Sequence, residues 1–269
     1  MGVLAVVAAA ALVGLPPPFQ AGELVRLQTR QHVVALTFDG GGNDAAAASV
    51  LRTLARRRVP ATFFPTGRFV RLYPRLARTI GRRFVVGNHT VHHVDLRGLA
   101  SGQVRAEIVD AQRELRTATG RDPRPLFRFP YGARDVQTLR IVHQLGYTSV
   151  RWTVDTLGWM GRSFQTPRGA LERVLAGLQP GEIVLLHLGS ARDGSTIDAQ
   201  ALPAIVSAVR ARGYRFVTLA GVRGPMSSAK RGSSRIESKS LSFSANSRAS
   251  SPPSSIARAS CSNACSRSP

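Results

Sequence analysis

A chain of 269 residues, 43% of them hydrophobic, holds one large domain or two small ones and can bury a sizeable core. Its formal charge of +22 suits an anionic wall polymer, a membrane surface or a nucleic acid, but zinc-knuckle cysteines, RNP aromatics and basic heptads are all missing, and no nucleic acid is expected. Both cysteines, Cys261 and Cys265, stand near the end of the chain, so the body relies on neither a disulfide nor a thiolate metal site.

In chain order, the first feature is VLAVVAAAALVGL at Val3–Leu15, an apolar run followed by three prolines. It is short for a bilayer span and has the length of a secretory h-region, so residues 1–20 are read as a signal-like or anchor segment. The expected location is secreted or at the cell envelope; a buried N-terminal helix is the alternative.

Apolar, β-branched runs bounded by Gly, Pro or polar residues then recur at VVALTFD (33–39), ATFFPTG (61–67), RFVVGNH (83–89), PLFRFPYG (125–132), TSVRWTVD (148–155), EIVLLHLG (182–189) and RFVTLAG (215–221). Helical spacing fills several intervals: Ala45–Arg58, Val104–Thr119 and Leu202–Arg212. Parallel neighbours need crossover helices, so this alternation predicts a parallel α/β architecture over residues 30–222. Closure into a barrel fits the number of units and leaves no edge strand, with an open sheet as the alternative. From 223 to 269 the chain is Ser/Arg-rich and aperiodic, with too few apolar residues for a core, and is read as a disordered tail.

Five of the runs end in groups capable of chemistry: Asp39, the pair His89 and His93, Arg128 with Pro130-Tyr131-Gly132, Asp155 with Trp159, and His187. Ligands in parallel α/β folds bind at the carboxyl ends of strands, where distant residues converge. Each group alone has an ordinary explanation: Asp39 as a turn acid, GGGN as a phosphate nest without the P-loop lysine, His187 as a core histidine. The interval from His89 to His93 lets two imidazoles reach one cation, and the missing H-E-x-x-H glutamate excludes a zincin. Their joint occurrence at strand ends is what asks for a function.

In this order the motifs resemble those of the polysaccharide deacetylase family, the NodB-homology domain of carbohydrate esterase family four. The resemblance spans Val33 to Leu219 and rests on Thr37-Phe38-Asp39-Gly40-Gly41, His89-Thr90-Val91-His92-His93, Arg128 to Gly132, Asp155-Thr156-Leu157-Gly158-Trp159 and Leu186-His187. It implies a distorted (β/α) barrel of about seven parallel strands. It also implies a divalent metal, zinc before others, and an N-acetylated cell-wall or chitin-type polysaccharide as substrate. Peptidoglycan or an N-acetylglucosamine polymer would serve, and a monomer is favoured. In that scheme His89 and His93 hold the cation, Asp39 takes a proton from water, and Arg128 orients Asp39 and keeps it ionised. The Tyr131 N–H beside Pro130 faces the oxyanion, His187 protonates the amine, and Trp159 walls the acetyl methyl.

Two positions depart from the family pattern. Gly40 stands where the family has the aspartate that is the third metal ligand. Asp44, or less readily Asn43, is the candidate substitute, and a helix N-cap is the rival task for Asp44. Gly158 stands where the family has an acid that tunes the histidine. Its loss leaves His187 at its ordinary imidazole value unless Asp155 takes over. The leading reading is a metal-dependent deacetylase. A non-catalytic carbohydrate-binding relative with a weakened metal site comes second, and a basic nucleic-acid or phosphate-ligand module third.

Overall fold

The computed structural model describes residues 23–221; the leader-like segment and the Ser/Arg-rich tail lie outside the described residues. The order of elements is β1 (Glu23–Leu24), β2 (Val33–Gly40), α1 (Ala47–Arg57), β3 (Thr62–Pro65), α2 (Gly67–Leu72), α3 (Pro74–Arg83), β4 (Val85–Val86), α4 (Ser101–Thr119), β5 (Leu126–Phe127), α5 (Val136–Gln144), β6 (Thr148–Val150), β7 (Val154–Asp155), α6 (Pro167–Ala176), β8 (Glu182–His187), α7 (Ile197–Ala211) and β9 (Arg215–Val217).

Every named strand pairing is parallel. One sheet runs β4-β3-β2-β8-β7, with β9 also on β2, and a second runs β1-β6-β5. A parallel bridge between Asn88 and Phe127 links β4 to β5. The chain itself links β6 to β7, because TSVRWTVD leaves β5 at Val150 and joins β8 at Val154. The parallel strands with their crossover helices are what the alternation predicts, and the arrangement is the distorted (β/α) barrel that the resemblance implies. The single run at 148–155 is two strands with different partners rather than one. β1 lies ahead of the barrel domain drawn from the sequence and is held by β6 and by an ion pair between Glu23 and Arg134.

β2 is buried along all eight residues, as expected of a central strand covered on both faces. Strand side chains alternate between faces, and the alternation determines what reaches the barrel mouth. Ala35, Phe64, Leu126, Val150, Ile183 and Leu219 pack together inside the barrel. Outside, Val34, Leu36, Phe38, Val184 and Leu186 pack against Val50 and Leu54 of α1, Ile80 of α3 and Leu202, Ile205 and Val206 of α7. Asp39 lies four residues beyond Ala35, His187 four beyond Ile183, and Arg128 two beyond Leu126, so all three share the inward face at its carboxyl rim. Gly87 lets β4 pass close over this plug: a Cβ there would lie 2.4 Å from Phe64 Cε1.

Candidate active site

Asp39, next to last in β2, stands in register with His187 on β8. Its Oδ1 accepts a hydrogen bond from Arg128 Nη1 at 2.7 Å, and its Oδ2 lies 3.4 Å from His89 Nε2. Burial raises the carboxyl pKa, but the Arg128 guanidinium, with lesser help from His89 and His187, outweighs it and holds Asp39 below the usual carboxylate range. Arg128 is 0% exposed, packed 4.2 Å from the Phe64 ring centroid, and its Nε and Nη2 donate to the carbonyls of Val150 and Arg151. A guanidinium fixed on three sides leaves Asp39 one orientation.

His89 Nδ1 donates to the Arg128 carbonyl at 2.7 Å, which assigns the lone pair to Nε2. Burial pushes its pKa down, so the ring is neutral at neutral pH. His93 follows in the left-handed region (φ 59°), with its ring 4.8 Å from that of His89 and 4.6 Å from that of Tyr131. Burial, with His89 beside it, lowers the pKa of His93 to about 4. Both imidazoles therefore offer lone pairs rather than charges. The His89 Nε2 lone pair and the ring of His93 beside it are neutral nitrogen donors of the kind that fits a divalent ion, and Asp39 Oδ2 stands 3.4 Å from His89 Nε2, next to that position.

No third His, Cys, Asp or Glu completes a three-ligand group among the described residues. Asp44 fills neither of the tasks weighed for it. Helix α1 starts later, at Ala47, with Ala46 as an N-cap that offers no side-chain bond, and the Asp44 backbone carbonyl accepts from the Ala47 N–H. The local turn belongs to Asn43, whose Oδ1 accepts from the N–H groups of Ala45 and Ser190.

Tyr131 sits in a tight turn after β5 in the left-handed region (φ 57°), its side chain 72% exposed above His93 and Pro130 buried beneath. Across the mouth, Asp155 accepts from the Leu157 N–H and from Trp159 Nε1 at 3.3 Å, and burial raises its pKa. The half-exposed Trp159 is thereby tied to the rim. Asp155 is thus engaged with its own turn and with Trp159, and the partner of His187 is a residue the motifs did not reveal. Asp198 Oδ2 accepts from the His187 backbone N–H at 2.8 Å and lies 3.4 Å from its Nδ1. Burial lowers the His187 pKa, but Asp198, Asp39 and Asp155 together raise it above the ordinary value expected from the loss at Gly158.

A second missed residue is Glu107 of α4, which steadies the histidine loop. Its Oε2 accepts from the N–H groups of Val91 and His92, and its Oε1 lies 2.7 Å from His92 Nδ1. Asn88 completes the support, accepting from the Thr90 N–H and donating to the Ile108 carbonyl and the Tyr147 hydroxyl. Neither residue carries a sequence signal, since each acts on backbone that is distant along the chain or bent.

A barrel mouth of this kind serves hydrolases that activate water beside a cation, and likeness to known proteins narrows the class. The sequence pattern of the polysaccharide deacetylase family matches residues 26–150. The chain is 33% identical over 210 residues to a chitooligosaccharide deacetylase of Azorhizobium caulinodans, covering 74% of this chain and 98% of that one. It is 31% identical over 192 residues to a peptidoglycan-N-acetylmuramic acid deacetylase of Bacillus subtilis, covering 71% of each. A solved family 4 carbohydrate esterase of Bacillus subtilis superposes with a TM-score of 0.67 at 29% identity, over 74% of this chain and 83% of that one. So does a family 4 pseudoenzyme of Bacillus anthracis, at 0.67 and 26%, over 75% and 68%. The chain belongs to the polysaccharide deacetylase family. Its deacetylase members are hydrolases of non-peptide carbon–nitrogen bonds and in general depend on a metal ion.

Proposed function

We propose that this chain removes N-acetyl groups from a cell-wall or chitin-type polysaccharide, with peptidoglycan or an N-acetylglucosamine polymer as substrate. The observation that carries the reading is the Asp39 carboxylate, fixed by a buried arginine on one oxygen and turned toward His89 with the other. An amide is a weak electrophile with a poor leaving group, so its hydrolysis needs a base, a stabilised oxyanion and an acid. Asp39 accepts the proton of the attacking water at Oδ2. The Tyr131 N–H faces the oxyanion, and His187 delivers a proton to the departing nitrogen. Trp159 and the Asp155 turn form the wall for the acetyl methyl. His89 and His93 would hold the divalent ion, zinc before others, which when bound polarises the acetyl carbonyl and acidifies the water.

Members named for chitooligosaccharide and for peptidoglycan both resemble the chain, which supports the substrate class without choosing within it. The leader-like run at Val3–Leu15 and the charge of +22 support an exported protein working against an anionic wall. A second reading, carbohydrate binding without turnover, is favoured by Gly40 and by the two-histidine metal set. Acetate release from chitin oligomers and from peptidoglycan separates the two. The deacetylase reading expects Asp39→Asn to keep the metal and lose turnover by about 100-fold or more, and His89→Ala to lose both. Saccharide binding with no acetate under any divalent ion would leave the binding reading instead.

A further inference from the structure

We propose that Asp198, in the first turn of α7, is the positioning residue of His187 and replaces from another element the carboxylate missing at Gly158. The inference rests on the deacetylase reading. It starts from a shared volume. A Cβ built on Gly158 would lie 2.2 Å from Asp198 Oδ1 and 2.6 Å from its Cγ. A side chain at 158 and the Asp198 carboxylate exclude each other, so the glycine and the helix-borne acid form one matched exchange.

Asp198 is 3% exposed, and a buried carboxylate must be fully engaged. Its Oδ1 accepts from the Thr156 hydroxyl at 2.6 Å. Its Oδ2 accepts from the His187 backbone N–H and reaches the ring Nδ1 at 3.4 Å. The helix-start location also favours a negative charge. The contact assigns a proton to Nδ1 and leaves Nε2 as the nitrogen available for proton delivery to an amine. The ionisable groups facing His187 are Asp198 from α7, Asp155 from β7, Asp39 from β2, and His89 and His93 from the loop after β4. Asp39 is committed to Arg128 and Asp155 to Leu157 and Trp159, and among the described residues Asp198 is the acid within hydrogen-bond reach of the ring Nδ1.

The test is the titration of the His187 ring by NMR, assigned with His187→Gln, beside the pH profile of acetate release from chitin oligomers. The wild-type midpoint is the reference against which the variants are read. Asp198→Asn is expected to move it down, to shift the alkaline limb of kcat to lower pH, and to lower kcat at pH 8 by about tenfold or more, with KM unchanged. The exchange variant Gly158→Asp/Asp198→Ala is expected to restore both midpoint and limb, whereas Gly158→Asp alone should fold poorly. An unchanged midpoint in folded Asp198→Asn overturns the proposal. If wild type releases no acetate but the ring titration behaves as stated, the deacetylase reading fails while the pairing stands.

Discussion

Replacing Arg128 by methionine removes the guanidinium from a site with no exposure and leaves Asp39 buried without its counter-ion. Orphaning one partner of a buried pair costs about 3–5 kcal/mol. The carbonyls of Val150 and Arg151 also lose a donor, at about 1 kcal/mol each. For a domain of this size each kcal/mol corresponds to about 2–4 °C in Tm, so Arg128→Met should melt roughly 10–25 °C below wild type at neutral pH. The sign of the pH dependence follows from linkage. In wild type the Asp39 pKa lies below its unfolded value, so its stabilisation is present above that value and lost as pH falls through the folded pKa. In the variant, burial acts without the guanidinium and raises the folded pKa, so stability is full below the unfolded value and lost as pH rises. The Tm gap should therefore be small near pH 4 and widen toward pH 7. Adding Asp39→Asn to Arg128→Met removes the orphaned charge and should recover stability. Thermal melts of wild type, Arg128→Met, Asp39→Asn and the double variant from pH 4 to 7.5 decide it. A gap independent of pH, with no recovery in the double variant, would refute the role given to this pair.

Four further outcomes follow from the geometry. Glu107→Ala, which frees the N–H groups of Val91 and His92 without altering His89 or His93, should weaken zinc binding by roughly 10–100-fold in calorimetric titration while α4 stays folded. Glu182 is buried with both carboxylate oxygens unpartnered, and burial raises its pKa to about 7. A folded pKa above the unfolded one means stability lost as pH rises, so Glu182→Gln should gain Tm relative to wild type between pH 5 and 8, read by scanning calorimetry. Asp44→Ala should change stability by less than about 0.5 kcal/mol and leave metal affinity intact. In the same titrations Gly41→Asp, whose Cβ would sit 3.7 Å from His93 Cδ2, should tighten zinc binding more than Gly40→Asp, which is crowded by Leu188 and Phe69.

The parts of this structure visible in the sequence are those that local patterns encode. An apolar run ending in a polar group marks a central strand and its carboxyl end, and Asp39, Arg128 and His187 were legible for that reason. The break at TSVRWTVD was not legible, because a change of strand partner leaves no trace in composition. Helices α2 and α3 lay behind the Thr66 cap and Pro74, signals that adjoin an apolar run read only as a strand. Asp44 misled because a capping residue is a local preference, and here the turn is taken by Asn43 through a bond to distant Ser190. Asp198 was invisible for the opposite reason: nothing near it in sequence marks it, and its meaning depends on the volume left by Gly158, a residue on another element.

The central claim is that side chains from separate strand ends act together on one acetyl group. Acetate released from chitin oligomers, measured against the zinc bound per chain, tests it most directly. The account predicts turnover that rises to saturation at about one ion per chain and vanishes in Asp39→Asn at unchanged zinc content. Acetate release that ignores zinc occupancy, or that survives Asp39→Asn, would contradict it.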